Sequence, residues 1–193
     1  MKLYFHEKNR PEQCTKIGLS LYDWRKKLEH NSANRAILRR AQDLRVVFLE
    51  ASLFDLLNTL NSAVKESNAA SPQEKIHFTD SRLAMIAGLA AQCKESSLSN
   101  VHTLGKCLAD GKISNLRFKK LLRTDDDEAQ FRMWRRVLNQ LDNNVNLAAL
   151  ANALWWWGDN TKRALAYEYY SALQGSIAND EIEDVTAEIE EEE

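Results

Sequence analysis

Residues 114–141, SNLRFKKLLRTDDDEAQFRMWRRVLNQL, decide the fold class. At about 100° per residue, Phe118, Leu121 and Leu122 fall within one arc of roughly 100°, and Lys119, Lys120 and Arg123 fall within an equal arc on the opposite side. After the break at Thr124, the pattern repeats. Phe131, Trp134, Val137, Leu138 and Leu141 share one face, while Arg132, Arg135 and Arg136 share another. These are two amphipathic helices, about 114–123 and 127–142. Asp125, Asp126 and Asp127 open the second, where acidic side chains complement the helix dipole. Asp142-Asn143-Asn144 ends it.

Working outward, helical spacing continues in both directions. Residues 20–30 carry Leu21, Trp24 and Leu28 on one face. The long apolar pattern from Asn34 to about Lys65 divides into a short helix and one or two longer ones, with Asp43 as the cap at the join. Residues 80–95 read as a buried helix (Leu83, Ile86, Leu89, Ala90, Cys93), and Ala84, Ala87, Gly88 and Ala91 would let a neighbouring helix approach closely. A short helix at 103–109 precedes the Asp110-Gly111 turn. Helices at about 146–157 and 160–174 are divided by Gly158, and Gly175 closes the last. Polar loops fill 66–73, with Pro72, and 96–102. Six glycines and two prolines in 193 residues are too few for the tight turns of a sandwich or barrel. The expectation is an all-α protein: a single compact bundle of about eight helices over residues 1–176, and an acidic, disordered tail over 177–193.

The charge is unevenly distributed. The net charge is -2, yet Asp180, Glu181, Glu183, Asp184, Glu188 and Glu190 to Glu193 place nine acidic side chains in the last fourteen residues. Without them, 26 basic side chains face 19 acidic ones, a balance of +7 on residues 1–179. A basic body suits a polyanionic partner. Three helices carry basic faces: Arg35, Arg39 and Arg40 on the first, Lys119, Lys120 and Arg123 on the second, and Arg132, Arg135 and Arg136 on the third. Such faces bind sugar–phosphate and read no bases, so affinity without sequence preference and strong salt dependence follow.

Other chemistry finds little support. Cys14, Cys93 and Cys107 are odd in number and contain no CxxC, which suits a reducing cytoplasm. His6, His30, His77 and His102 show no metal-ligand spacing, and the consecutive carboxylates Asp125 to Glu128 point in different directions on a helix, so neither a metal nor another cofactor is expected. No GxSxG, Walker A or GxGxxG sequence occurs. The N-terminus, MKLYFHEKNR, lacks the apolar core of a signal peptide, and no stretch approaches a membrane span. Trp155, Trp156 and Trp157 fan over roughly 200° of a helix, so two belong in the core and the third is available to a neighbouring subunit. Trp24 and Trp134 lie on apolar faces.

The ordered segments SANRAILRRA (32–41), LGKCLADGKISNLRFKKLLRTD (104–125), FRMWRRVLNQ (131–140), LWWWG (154–158) and KRALAYEYY (162–170) resemble the CasB family, the small subunit of the type I-E CRISPR surveillance complex Cascade. Order and spacing agree over about residues 20–170. The resemblance implies an all-helical, non-catalytic subunit present in two copies beside the backbone filament and the large subunit. In that complex, which carries the crRNA, it would help hold the displaced non-target strand and support the target strand. Carried over by position, the binding arginines are Arg39, Arg40, Arg123, Arg135 and Arg136, with Lys162 and Arg163 after the Trp-Trp-Gly segment. Here Asp159 and Asn160 intervene before that last pair, and the acidic tail lies outside the family pattern. The alternative is a helix-turn-helix regulator of duplex DNA, since ADGKISNLRFKKLLR combines a short helix, a glycine turn and a basic helix.

Overall fold

The computed structural model describes residues 4–7, 10–67, 76–77, 79–94 and 102–190, with side chains described outside 6–13 and 176–190. Most of the expected loops at 66–73 and 96–102 lies outside these residues. Two strands, β1 (His6–Glu7) and β2 (Arg10–Cys14), pair antiparallel ahead of ten helices. The helices are α1 (Lys16–Glu29), α2 (Ser32–Arg40), α3 (Leu44–Phe48), α4 (Ala51–Ser67), α5 (Ser81–Gln92), α6 (Leu104–Asp110), α7 (Asn115–Leu122), α8 (Asp127–Gln140), α9 (Leu147–Trp155) and α10 (Asp159–Glu190).

The all-α class stands, with two additions to the sequence reading. The N-terminal ribbon had no signal in the apolar pattern; it is held by Thr15, whose Oγ1 donates to the Tyr4 carbonyl at 2.6 Å and accepts from Gly18 N at 3.2 Å, capping α1. Among the described residues ten helices stand where about eight were expected, and the stretch from 32 to 67 divides into three, α2, α3 and α4, the upper count the apolar pattern allowed. Asp43 caps α3 as predicted, accepting from Val46 N at 3.1 Å.

The expected stop at Gly175 is corrected: the backbone of α10 continues to Glu190. Gly175 has ordinary negative φ and no side-chain neighbour, so nothing there forces a turn. The Ala, Ile and Glu residues that follow are compatible with helix, and the cost of one glycine is about 1 kcal/mol. The expected boundary between body and tail at 176/177 therefore falls inside one helix.

α5 is the centre of the bundle. Ten of its twelve residues, Leu83 to Gln92, are buried, and α1, α2, α3, α4, α8 and α9 all pack on it. Its small residues make this possible: a Cβ on Gly88 would lie 2.8 Å from the Phe131 ring of α8. A second layer forms where α10 lies along α6. There a Cβ on Gly105 would meet the Glu168 Cβ at 2.3 Å, while Phe118 of α7 stacks on Tyr169 with ring centroids 3.9 Å apart. Among the described residues no helix is long and apolar enough to cross a membrane.

A helix buried this deeply ends with carbonyls that water cannot reach. Arg25 of α1, 1% exposed, supplies the donors. Its Nε donates to the Ala90 carbonyl at 2.8 Å, its Nη2 donates to the Cys93 carbonyl, and its Nη1 pairs with Glu29 at 2.7 Å. Removing a buried charge of this kind takes a donor from both carbonyls and one of its two guanidinium partners from the Glu29 carboxylate. Arg25→Met should cost about 3 kcal/mol or more, read as a lower urea midpoint at unchanged slope. A loss below about 1 kcal/mol would show that the capping is dispensable.

Candidate nucleic-acid interface

The predicted cations separate into those that bond within the chain and those that face outward. Arg35 belongs to the first group. Its Nη1 pairs with Glu29 at 2.5 Å and its Nε donates to the Ala91 carbonyl at 3.3 Å. It therefore completes the cap of α5 that Arg25 begins. Burial tends to raise the Glu29 pKa, but the hydrogen bond and charge of Arg25, with Arg35 and Arg39 beyond, outweigh it and hold the carboxyl below its ordinary value. The basic face drawn through Arg35 and Arg39 is thus split: Arg35 turns inward, while Arg39 and Arg40, in the last turn of α2, are exposed.

Lys162 is likewise engaged. Its Nζ pairs with Asp125 and sits 5.6 Å from the centroid of the Trp157 ring. Arg163, one residue on, is exposed. Arg132 approaches Glu128 only at 4.0 Å and stays half-exposed, a pair of little energetic weight.

Arg135 joins two helices. Its Nη2 donates to the Arg39 carbonyl at 2.8 Å, and its guanidinium lies 5.7 Å from the Phe131 ring centroid. Burial lowers its pKa below the ordinary arginine value. It also satisfies a carbonyl at the C-terminal end of α2, where a cation complements the helix dipole. The consequence is positional: Arg39 and Arg40 of α2 are fixed beside the arginine face of α8.

On the other side of α8, Arg136 meets α7. An open groove of about 410 Å³ is lined by Ser114, Leu116, Arg117, Lys120, Met133 and Arg136. Lys119, Lys120 and Arg123 are exposed, while Phe118 and Leu121 are buried, as the spacing predicts. α8 thus meets α2 through Arg135 and shares a groove with α7 through Arg136. Arg39, Arg40, Lys119, Lys120, Arg123, Arg136 and Arg163 are in no ion pair among the described residues.

Two exposed cations, on α7 and α3, escaped the sequence reading. Arg117 is exposed and donates to the Gln140 side chain. It lies three residues before Lys120, so the helical stripe itself could have found it. Arg45 is exposed on α3, whose first residue, Leu44, donates to Glu128 Oε1 at 3.0 Å and so sets α3 against the start of α8. Its helix has only five residues, too short for a face to be read from periodicity.

The acidic run is divided among separate tasks. Asp126 caps α8 by accepting from Ala129 N at 2.7 Å, Asp127 accepts from Ser81, Glu128 receives Leu44 and Asp125 receives Lys162. Of the tryptophans, Trp24 and Trp134 are buried as expected. In the triplet Trp157 is buried, with its Nε1 donating to the Thr124 carbonyl at 3.0 Å. Trp155 and Trp156 are half-buried, and Trp156 faces Tyr4 with ring centroids 5.7 Å apart.

Comparison with known proteins reports on the same chain. Residues 34–170 match the family described as CRISPR-associated protein Cse2. Among solved structures, a chain from a crystal structure of E. coli Cascade bound to a PAM-containing dsDNA target superposes with a TM-score of 0.63. That similarity has 17% sequence identity and covers 81% of this chain and 96% of that one. Comparison with curated proteins gives no match.

The two kinds of arginine should differ in stability measurements. Arg35→Ala should cost about 1–3 kcal/mol, because it exposes a capping defect at α5. Arg136→Ala should stay within about 0.5 kcal/mol of the parent. Equal losses in urea denaturation would contradict this division.

Proposed function

Since the chain belongs to the Cse2 family of CRISPR-associated proteins, the small subunits of type I-E Cascade, we propose that it holds nucleic-acid backbone in that complex without performing chemistry on it. It works in the cytoplasm, beside a second copy of itself and next to the backbone filament and the large subunit of the crRNA-bearing assembly. Its task is to stabilise the R-loop by retaining the displaced non-target strand and supporting the target strand.

The observation that carries this reading is the Arg135–Arg39 bond, which joins the outward cations of α2 to those of α8. A strand lying over Arg39, Arg40, Arg136, Lys120 and Arg123 would meet cations at several successive phosphates. Exchange of duplex for R-loop is nearly balanced, so contacts of this modest kind are enough to tip it. The residues proposed to meet phosphate are fewer than the sequence implied. Arg35 and Lys162 serve the fold, and Arg135 positions its neighbours as much as it presents charge. Arg132 and Lys119 flank the surface, and Arg163 extends it from α10.

The test is electrostatic. Binding of a mixed-sequence single strand, followed by fluorescence anisotropy over a range of salt, should give a linear plot of log affinity against log salt. Replacing Arg39, Arg40 and Arg136 by alanine should reduce the slope by about 0.7 for each phosphate contact removed. In reconstituted Cascade the same variant should incorporate normally and shorten the lifetime of the R-loop. An unchanged slope together with an unchanged lifetime would defeat the proposal.

A further inference from the structure

The groove between α7 and α8 has a property that a phosphate track does not need. Its lining contains two apolar side chains, Leu116 and Met133, among three cations, Arg117, Lys120 and Arg136, with Ser114 and no carboxylate. Leu116 is 81% exposed, on the outward side of a helix whose buried side is already filled by Phe118 and Leu121. It therefore contributes little to the core. Met133 forms the opposing apolar wall from α8 and is only 8% exposed.

One of the cations is held in place beside this floor. Arg117 donates to the Gln140 side-chain oxygen, and Gln140 Nε2 donates in turn to the Lys112 carbonyl at 3.1 Å. Lys112 has a φ of 52°, so the turn between α6 and α7 directs that carbonyl toward the end of α8. One side chain, Gln140, thus ties α7 and the preceding turn to α8 and fixes the guanidinium of Arg117 at the groove. A volume of about 410 Å³ is within the range of pockets that take small organic groups.

We infer that this groove seats one unstacked base of a single strand against Leu116 and Met133, while the flanking phosphates lie on Arg117, Lys120 and Arg136. Charge decides the class of occupant: three cations and no anion select a polyanion, and the apolar floor selects one that carries flat, poorly hydrated groups between its charges. Single-stranded nucleic acid is such a polymer, whereas duplex DNA keeps its bases stacked and presents phosphate alone. An aliphatic floor gives shape without hydrogen bonds, so it accepts any base. This deepens the backbone-holding role just proposed and rests on it: the surface would distinguish an opened strand from a duplex while remaining indifferent to sequence.

The experiment compares two single strands of equal length and charge, a short oligothymidylate and an all-abasic oligonucleotide, each bound by the full chain and by Leu116→Ala. The exposure of Leu116 means that this substitution leaves the core intact. The parent protein should prefer oligothymidylate. Leu116→Ala should weaken that binding by roughly fivefold or more, as loss of an apolar contact does, with an unchanged salt slope, and should leave abasic binding unaltered. Arg117→Ala should lower both affinities and the slope. Equal binding of the two strands by the parent, or equal loss on both in Leu116→Ala, would overturn the inference while leaving backbone binding intact. Failure of the parent to retain either strand at low salt would overturn both. A Leu116→Ala protein that binds both strands normally but no longer joins Cascade would assign the groove to a protein neighbour and refute base seating.

Discussion

The carbonyls at the C-terminal end of α5 are the constraint around which the bundle is arranged. A helix that is buried along nearly its whole length can be enclosed only if both ends are satisfied inside the protein. Arg25 and Arg35 reach that end from two different helices, bonding Ala90, Cys93 and Ala91 in turn, and Glu29 balances both guanidiniums. Three charged side chains and three carbonyls form one network. Its members belong to α1, α2 and α5, so the network fixes how those helices meet.

The candidate surface depends on that arrangement. α2 and α8 both pack on α5, and neither would present its arginines beside the other's without it. Gly88 lets Phe131, and hence α8, come close to the α5 backbone, while the Arg35 bond to Ala91 anchors α2 at the far end. Arg135 then spans the remaining distance to the Arg39 carbonyl. Arginine suits all three tasks because one planar group can donate in several directions and remain charged when partly desolvated. Buried, it caps; half-buried, it joins; exposed, it is available to phosphate. Position on the bundle decides which of these each arginine does.

This explains what the sequence disclosed and what it did not. Apolar periodicity depends on neighbours three and four residues apart, so α7 and α8 and their buried faces were legible, as were the cap at Asp43, whose partner lies three residues on, and the start of α8 at the acidic run. The family was legible for a related reason: its segments are helical faces in a fixed order. The partner of Arg35 lies on the preceding helix and that of Lys162 lies in the stretch before α8, and no local rule pairs Lys162 with Asp125 across 37 positions. The ribbon at the N-terminus was missed because five residues of β2 hold no alternating pattern. Arg117 was missed for another reason: it sits on the same stripe as Lys120 but at its edge, next to an exposed leucine that breaks the polar pattern.

Net charge bears on the function less than the placement of charge does. The whole chain sums to -2, yet at physiological ionic strength an exposed charge is screened over about 8 Å. A phosphate approaching α8 would therefore respond to the nearby Arg136, Lys120 and Arg39 more than to the summed charge of the chain. A weak overall attraction has one advantage for a subunit of a larger assembly. Under the proposed function it would limit indiscriminate binding to the nucleic acid that fills a cell, and would leave retention to the place where several phosphates can be met together. The orientation set by Arg135 is what would let the proposed surface meet several at once, since isolated cations on separate helices would each face their own patch of solvent.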